Sequence, residues 1–61
     1  MFKISDWAGN ILDINGRFLR PSIVIPMPFA TFEEGWAWIR ENVPDEDNAH
    51  DDVEVVRCDA A

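Results

Sequence analysis

The residues best equipped for chemistry crowd into the last third of the chain. Asp45, Glu46, Asp47, Asp51 and Asp52 place five carboxylates within eight positions, and the single histidine, His50, lies among them. Carboxylates at this density suit a hard divalent cation, or they present negative charge to a cationic surface. A calcium loop of the EF-hand type needs oxygen ligands at positions 1, 3 and 5, Gly at 6 and Glu at 12. Counted from Asp45, positions 5, 6 and 12 hold Ala49, His50 and Val56; counted from Asp13, position 6 holds Phe18. Both counts fail. A looser cluster of Asp45, Asp47, Asp51 and Asp52 is the remaining metal reading, and a solvated loop is the simpler one, so no metal is expected.

His50 would need a nucleophile or a second titrating group within hydrogen-bond reach to act as an acid or base. The sequence supplies no such pairing, and the expected role is a pH-sensitive counter-charge. Cys58 is the single cysteine, which excludes an intramolecular disulfide and every two-cysteine metal spacing. It is read as a small residue in a loose tail. There is no Ser–His–Asp spacing, Gly-rich phosphate loop or zinc signature. An enzyme is not expected, and neither is a cofactor.

Charge narrows the partner class. Twelve acids against five bases give −7 over 61 residues. The charge is also lopsided: Lys3, Arg17 and Arg20 outweigh Asp6 and Asp13 in the first half, whereas Arg40 and Arg57 face ten acids beyond residue 32. Such a balance argues against direct contact with nucleic-acid phosphates or an anionic membrane. The longest apolar run, residues 23–30, carries Pro26 and Pro28 and is too short to span a bilayer. No secretory leader is visible in the first residues, and a soluble cytoplasmic protein is expected.

The elements that position these groups follow from patterning. Hydrophobic residues make up 48% of the chain and charged residues 28%, within the range of folded domains, and this length allows one domain with a modest core. Residues 1–20 read as a hairpin region. Phe2 and Ile4 alternate with Lys3 and Ser5, Ala8-Gly9-Asn10 offers a turn, Ile11 to Ile14 returns, and Asn15-Gly16 offers a second turn before Arg17-Phe18-Leu19-Arg20. Which turn closes the main hairpin stays open. Residues 21–30 hold three prolines and read as an extended connector or an edge strand.

Residues 31–43 form the expected helix. Thr31 and Glu34 have the spacing of a capping box, with the Glu34 carboxylate reaching back. At about 100° per residue, Phe32, Gly35, Trp36, Ile39 and Val43 make one apolar stripe. Gly35 on that stripe implies close approach of the helix to a strand, since glycine costs a helix about 1 kcal/mol relative to alanine. Residues 44–52 form an acidic loop, 53–57 a last strand with Val53 and Val55 on one face, and 58–61 a tail. The fold class is α+β: a small antiparallel sheet of three or four strands with one helix packed on one face, in the order ββ(β)αβ.

Three tryptophans remain. Trp36 falls on the stripe. Trp38 lies about 120° from it, at the rim of the buried face or in solvent, and is a candidate interface anchor. Trp7, before the first turn, is either a lid on the core or a second anchor. Glu33, Glu34 and Glu41 sit on the helix face away from the stripe. The candidate partner-binding surface is therefore Glu34, Trp38, Glu41, Asp45, Glu46, Asp47, Asp51 and Asp52, set against the plainer reading that the charge serves solubility.

Asp6-Trp7-Ala8-Gly9-Asn10, the run Phe29-Ala30-Thr31-Phe32-Glu33-Glu34-Gly35-Trp36, the acidic loop and Val53-Glu54-Val55-Val56 together resemble a class of short bacteriophage-encoded proteins. Gly35 departs from that pattern, which carries alanine there, and so does the proline-rich stretch from Pro21 to Pro28. The resemblance implies a setting, the host bacterial cytoplasm, and brings no site residues. Asp59-Ala60-Ala61 is similar to C-terminal tails read by bacterial unfoldase–protease complexes. Taken with the charge, the expectation is a small inhibitor that docks its acidic face on a basic surface of a host nucleic-acid-binding protein, by DNA mimicry of the anti-CRISPR or anti-restriction kind. The alternative is an assembly module or homodimer joined through Trp7, Trp38 and a strand edge.

Overall fold

A computed structural model describes residues 1–46 and 49–57. Its elements are β1 (Phe2–Asp6), β2 (Ile11–Leu12), β3 (Phe18–Leu19), α1 (Phe32–Asn42), a 3₁₀ turn (Ala49–Asp52) and β4 (Val53–Arg57). They form one antiparallel sheet in the order β3-β2-β1-β4, with α1 across one face. The expected α+β architecture is present. The tail 58–61, with Cys58, lies outside the described residues, as does Asp47.

Both turns close hairpins. Asp6 joins β1 to β2: its amide donates to the Asn10 carbonyl at 2.9 Å, and its carbonyl accepts from the Gly9 amide at 3.2 Å. Its carboxylate also accepts from the Ala8 and Asn10 amides at 3.0 and 2.8 Å, an Asx-type clamp on the turn. The second turn joins β2 to β3 through Gly16, whose φ of +83° is the left-handed conformation that favours glycine. The second strand is shorter than the expected run Ile11 to Ile14: the Asp13 amide donates to the Arg17 carbonyl at 2.6 Å and its carbonyl accepts from the Gly16 amide at 2.8 Å within the second turn, and Asp13 lies opposite Pro26 in an isolated bridge.

The proline-rich connector is neither a sheet edge nor a free crossover. β1 and β2 pair at Ser5–Ile11, and beyond that position each takes the connector as its partner. Phe2 exchanges two hydrogen bonds with Phe29 at 2.8 and 3.0 Å, the Leu12 carbonyl accepts from the Met27 amide at 3.0 Å, and the Ile14 amide donates to the Ile25 carbonyl at 3.0 Å. The amides of Ile25, Met27 and Phe29 all donate, and they alternate with Pro26 and Pro28, which have no N–H to satisfy. Proline is tolerated there because every second position needs no donor.

The helix begins and ends where local chemistry dictates. Thr31 is the N-cap, its hydroxyl accepting from the Glu34 amide at 3.1 Å, and the Glu34 carboxylate reaches back to the Ala30 amide at 3.0 Å. Val43, before Pro44, is extended and caps the C-terminus. Thr31 and Val43 therefore flank the helix instead of belonging to it.

Ile4, Leu12 and Ile39 are fully buried, and with Phe29 and Val55 they form the core. Burying each of the three contributes about 1.5–3 kcal/mol. Phe2, Phe18, Met27, Trp36, Trp38, Val43 and Val53 pack around them. A Cβ built on Gly35 would lie 2.8 Å from both Val55 methyl carbons, so the helix rests on β4 at a distance only glycine permits. Phe32, the first stripe residue, stays 47% exposed and bridges Phe2 and Trp36 by edge-on ring contacts at 6.2 and 6.3 Å.

Candidate functional site

Strand register builds an acidic cleft. β1 and β4 pair along their whole length, from Phe2 opposite Arg57 to Asp6 opposite Val53. The end of β1 and the start of β4 therefore coincide, and each runs directly into a turn at the same end of the sheet. Trp7 follows Asp6 on one side, and the 3₁₀ turn precedes Val53 on the other. The open cleft between them, about 220 Å³, is lined by Asp6, Trp7, Asp51, Asp52, Val53 and Glu54.

The lining is of two kinds. The Asp6 carboxylate is committed to its own turn, with Asn10 Nδ2 adding a third contact at 3.2 Å. Asp51, Asp52 and Glu54 are exposed, and no hydrogen bond or ion pair among the described residues engages their carboxylates. Trp7 is 81% exposed, so it is no lid on the core; its ring stands in solvent beside these acids. An indole face flanked by unengaged carboxylates can take a cation by charge and by cation–π contact together. The clamp at Asp6 fixes the backbone on which Trp7 is carried.

The other expected surface residues lie elsewhere. Glu34 caps the start of α1, and Glu41 is exposed further along it. Trp38 is half-buried against the core, and its carbonyl accepts from Asn42 Nδ2 at 3.0 Å. Asp45 accepts from the His50 amide at 3.5 Å, and the Glu46 carbonyl accepts from the Ala49 amide at 3.0 Å. Of the acids expected on the surface, the structure brings only Asp51 and Asp52 into the cleft, and it adds Asp6, Trp7 and Glu54 to them. Among the described residues no group of His, Cys, Asp or Glu has the arrangement to hold a metal ion.

His50 is engaged through its ring. Its Nε2–H donates to the Val43 carbonyl at 2.6 Å, tying the 3₁₀ turn to the end of α1. A carbonyl oxygen can only accept, so the bond requires a proton on Nε2. It is a fastening for the wall of the cleft that carries Asp51 and Asp52.

The residue sequence reasoning missed is Asp13. It is 4% exposed, and its carboxylate accepts from the Asn15 amide, Asn15 Nδ2 and the Ile25 amide, each at 3.0 Å. The Asn15 and Ile25 backbone amides, with Asn15 Nδ2 and the nearby charge of Arg17, hold its pKa below the ordinary 3.8, against the opposing effect of burial. The signal was an aspartate opening Asp13-Ile14-Asn15-Gly16, where a side-chain oxygen can accept from the amide two residues on. Asp13 ties the second turn to the connector, and it belongs to the scaffold.

Comparison with family models, with characterised proteins and with solved structures gives no match to this chain. No helix among the described residues is long and apolar enough to cross a membrane.

Proposed function

We propose that this protein is a binding protein, not an enzyme, and that it inhibits a host nucleic-acid-binding protein or complex by offering carboxylates in place of backbone phosphates. The observation that supports this reading is the cleft in which Asp51, Asp52 and Glu54 stand unengaged beside the solvent-exposed ring of Trp7. A basic groove built for phosphates responds to negative charge and to its spacing, and a rigid scaffold presents both without the cost of ordering a loop. The net charge of −7 makes direct binding to nucleic acid or an anionic membrane unfavourable. Anti-CRISPR or anti-restriction activity in a bacterial cytoplasm is the concrete form proposed. Glu34, Glu41, Asp45 and Glu46 add negative charge to the surface outside the cleft, Asp47 adds one more charge to the sequence, and Trp38 packs against the core from the helix that carries the first two.

The test is charge reversal. The variant carrying Asp51→Lys, Asp52→Lys and Glu54→Lys should retain its circular dichroism and lose inhibition of a CRISPR or restriction nuclease that the unmodified protein blocks. Full inhibition by that variant contradicts the proposal.

One observation favours a second reading, an assembly module or homodimer. Ile14, Ile23 and Ile25 are exposed where the second turn meets the connector, and exposed apolar clusters mark association surfaces. A concentration-independent monomer mass by light scattering contradicts it.

A further inference from the structure

The sheet has two edges, and they differ. β3 offers two residues, Phe18 and Leu19, whereas β4 is five residues long and pairs with β1 in unbroken register. No strand among the described residues lies on the other side of β4. An edge of this kind presents main-chain donors and acceptors to any extended segment, and proteins usually blunt it with proline, a bulge or inward charge. Residues 53–56 carry no proline, and their register shows no bulge. Their side chains alternate cleanly: Val53 and Val55 lie on the helix side, Glu54 and Val56 on the other. At about 3.3 Å per residue, residues 53–56 offer an edge roughly 13 Å long. The acidic cleft opens at the N-terminal end of this same strand, since Val53 and Glu54 line it.

We infer that the edge of β4 and the cleft at its head are one site, which takes an extended, arginine- or lysine-bearing segment of a partner protein by strand addition. Main-chain pairing along residues 53–56 supplies affinity. The cleft supplies selection: a guanidinium or ammonium group enters it against the Trp7 ring, facing Asp51, Asp52 and Glu54. Charge complementarity selects the occupant. A second copy of this chain would bring its own −7 and an identical acidic cleft to the same edge. A cationic strand meets main-chain groups and countercharge together. This inference rests on the reading that the acidic surface meets a basic protein, and it names the way in which that protein is held.

The test uses a fluorescein-labelled peptide of alternating arginine and valine, with a control peptide N-methylated at alternate residues, which keeps the charge and cannot pair as a strand. Titrated into the full chain at low salt, the unmodified peptide should bind and should slow amide exchange at residues 53–56. The N-methylated peptide should bind at least about tenfold more weakly, the equivalent of one lost main-chain contact or more. Trp7→Ala should weaken the unmodified peptide by about three- to tenfold and the N-methylated one by a similar factor. Equal binding of the two peptides, with no protection in β4, overturns strand addition and leaves docking by charge standing. Failure of both peptides to bind at low salt overturns both readings. Protection of residues 53–56 that appears with protein concentration alone assigns the edge to self-association and likewise overturns the inference.

Discussion

Two aspartate sites show how this chain uses its carboxylates. At the connector, Asp13 is buried and spends its oxygens on Asn15 and Ile25. At the head of β4, Asp51 and Asp52 are exposed beside Trp7 and engage nothing among the described residues. The same functional group serves cohesion at one site and presentation at the other, and local donors make the difference. Where backbone amides converge on a carboxylate, its charge is stabilised and its oxygens are engaged by the fold. Where a turn holds carboxylates outward with no amide in reach, the charge is left for a partner. A domain of this size has an expected stability of only about 3–9 kcal/mol, so the first kind of site cannot be spared.

Breaking the cohesive site should have the largest effect. Asp13→Ala removes the acceptor for two backbone amides at a nearly inaccessible position, and the melting temperature should fall by roughly 10 °C or more. The same substitution at Asp51 should leave the melting temperature within a few degrees, since nothing in the fold relies on it. A thermal scan of both variants compares the two sites directly.

Next in size is the contact that holds the helix over β4. Gly35→Ala gains helix propensity but drives a methyl group into Val55, which is β-branched and cannot swing aside. Overpacking of this kind costs about 1–3 kcal/mol, and the propensity gain of about 1 kcal/mol offsets part of it. Adding Val55→Ala to Gly35→Ala should recover stability relative to Val55→Ala alone. A double-mutant cycle in urea reads that coupling.

Helix capping is smaller again. Thr31→Ala deprives the Glu34 amide of its acceptor and should cost about 1 kcal/mol by urea unfolding. Because Thr31 lies far in sequence from the cleft and makes no contact with it, binding of a cationic peptide should be unchanged.

The smallest effect at ordinary pH concerns titration. Asp13 has a pKa lowered below 3.8 in the folded state, so the unfolded chain binds its proton first as pH falls. The stability it contributes is complete above the unfolded value and drains away as pH drops through the lowered folded one. Between pH 5 and 8, Asp13 should therefore add no slope to stability, and the acid limb below about pH 4 should be shallower in Asp13→Asn than in the unmodified chain. Urea midpoints across pH 2–8 measure both.

The parts legible in the sequence are those set by near neighbours. Thr31 and Glu34 meet across three positions, and Pro44 acts on the residue beside it, so the helix and its caps could be read from spacing. The close approach at Gly35 was legible because glycine on an apolar helix stripe has few other uses. The connector was not, because its hydrogen bonds run to residues in β1 and β2; the Ile25 amide finds Asp13 twelve positions away. The cleft was half legible. Asp51 and Asp52 declared themselves by crowding, but the partnership with Trp7 depends on the pairing of Asp6 with Val53 across the sheet. No local pattern encodes that register. Trp7 could thus be read from sequence as a lid or as an anchor, and the structure excludes the lid.

Phosphate mimicry by Asp51, Asp52 and Glu54 is tested by paired capture from bacterial lysate, with the unmodified protein and with a variant carrying Asp51→Asn, Asp52→Asn and Glu54→Gln, matched in melting temperature. Bound proteins would be eluted first with duplex DNA, then with salt, and identified by mass spectrometry. Phosphate mimicry at the cleft predicts a basic nucleic-acid-binding protein that DNA displaces from the unmodified protein and that the neutralised variant never retains. The same proteins held equally by both, and indifferent to DNA, would contradict it.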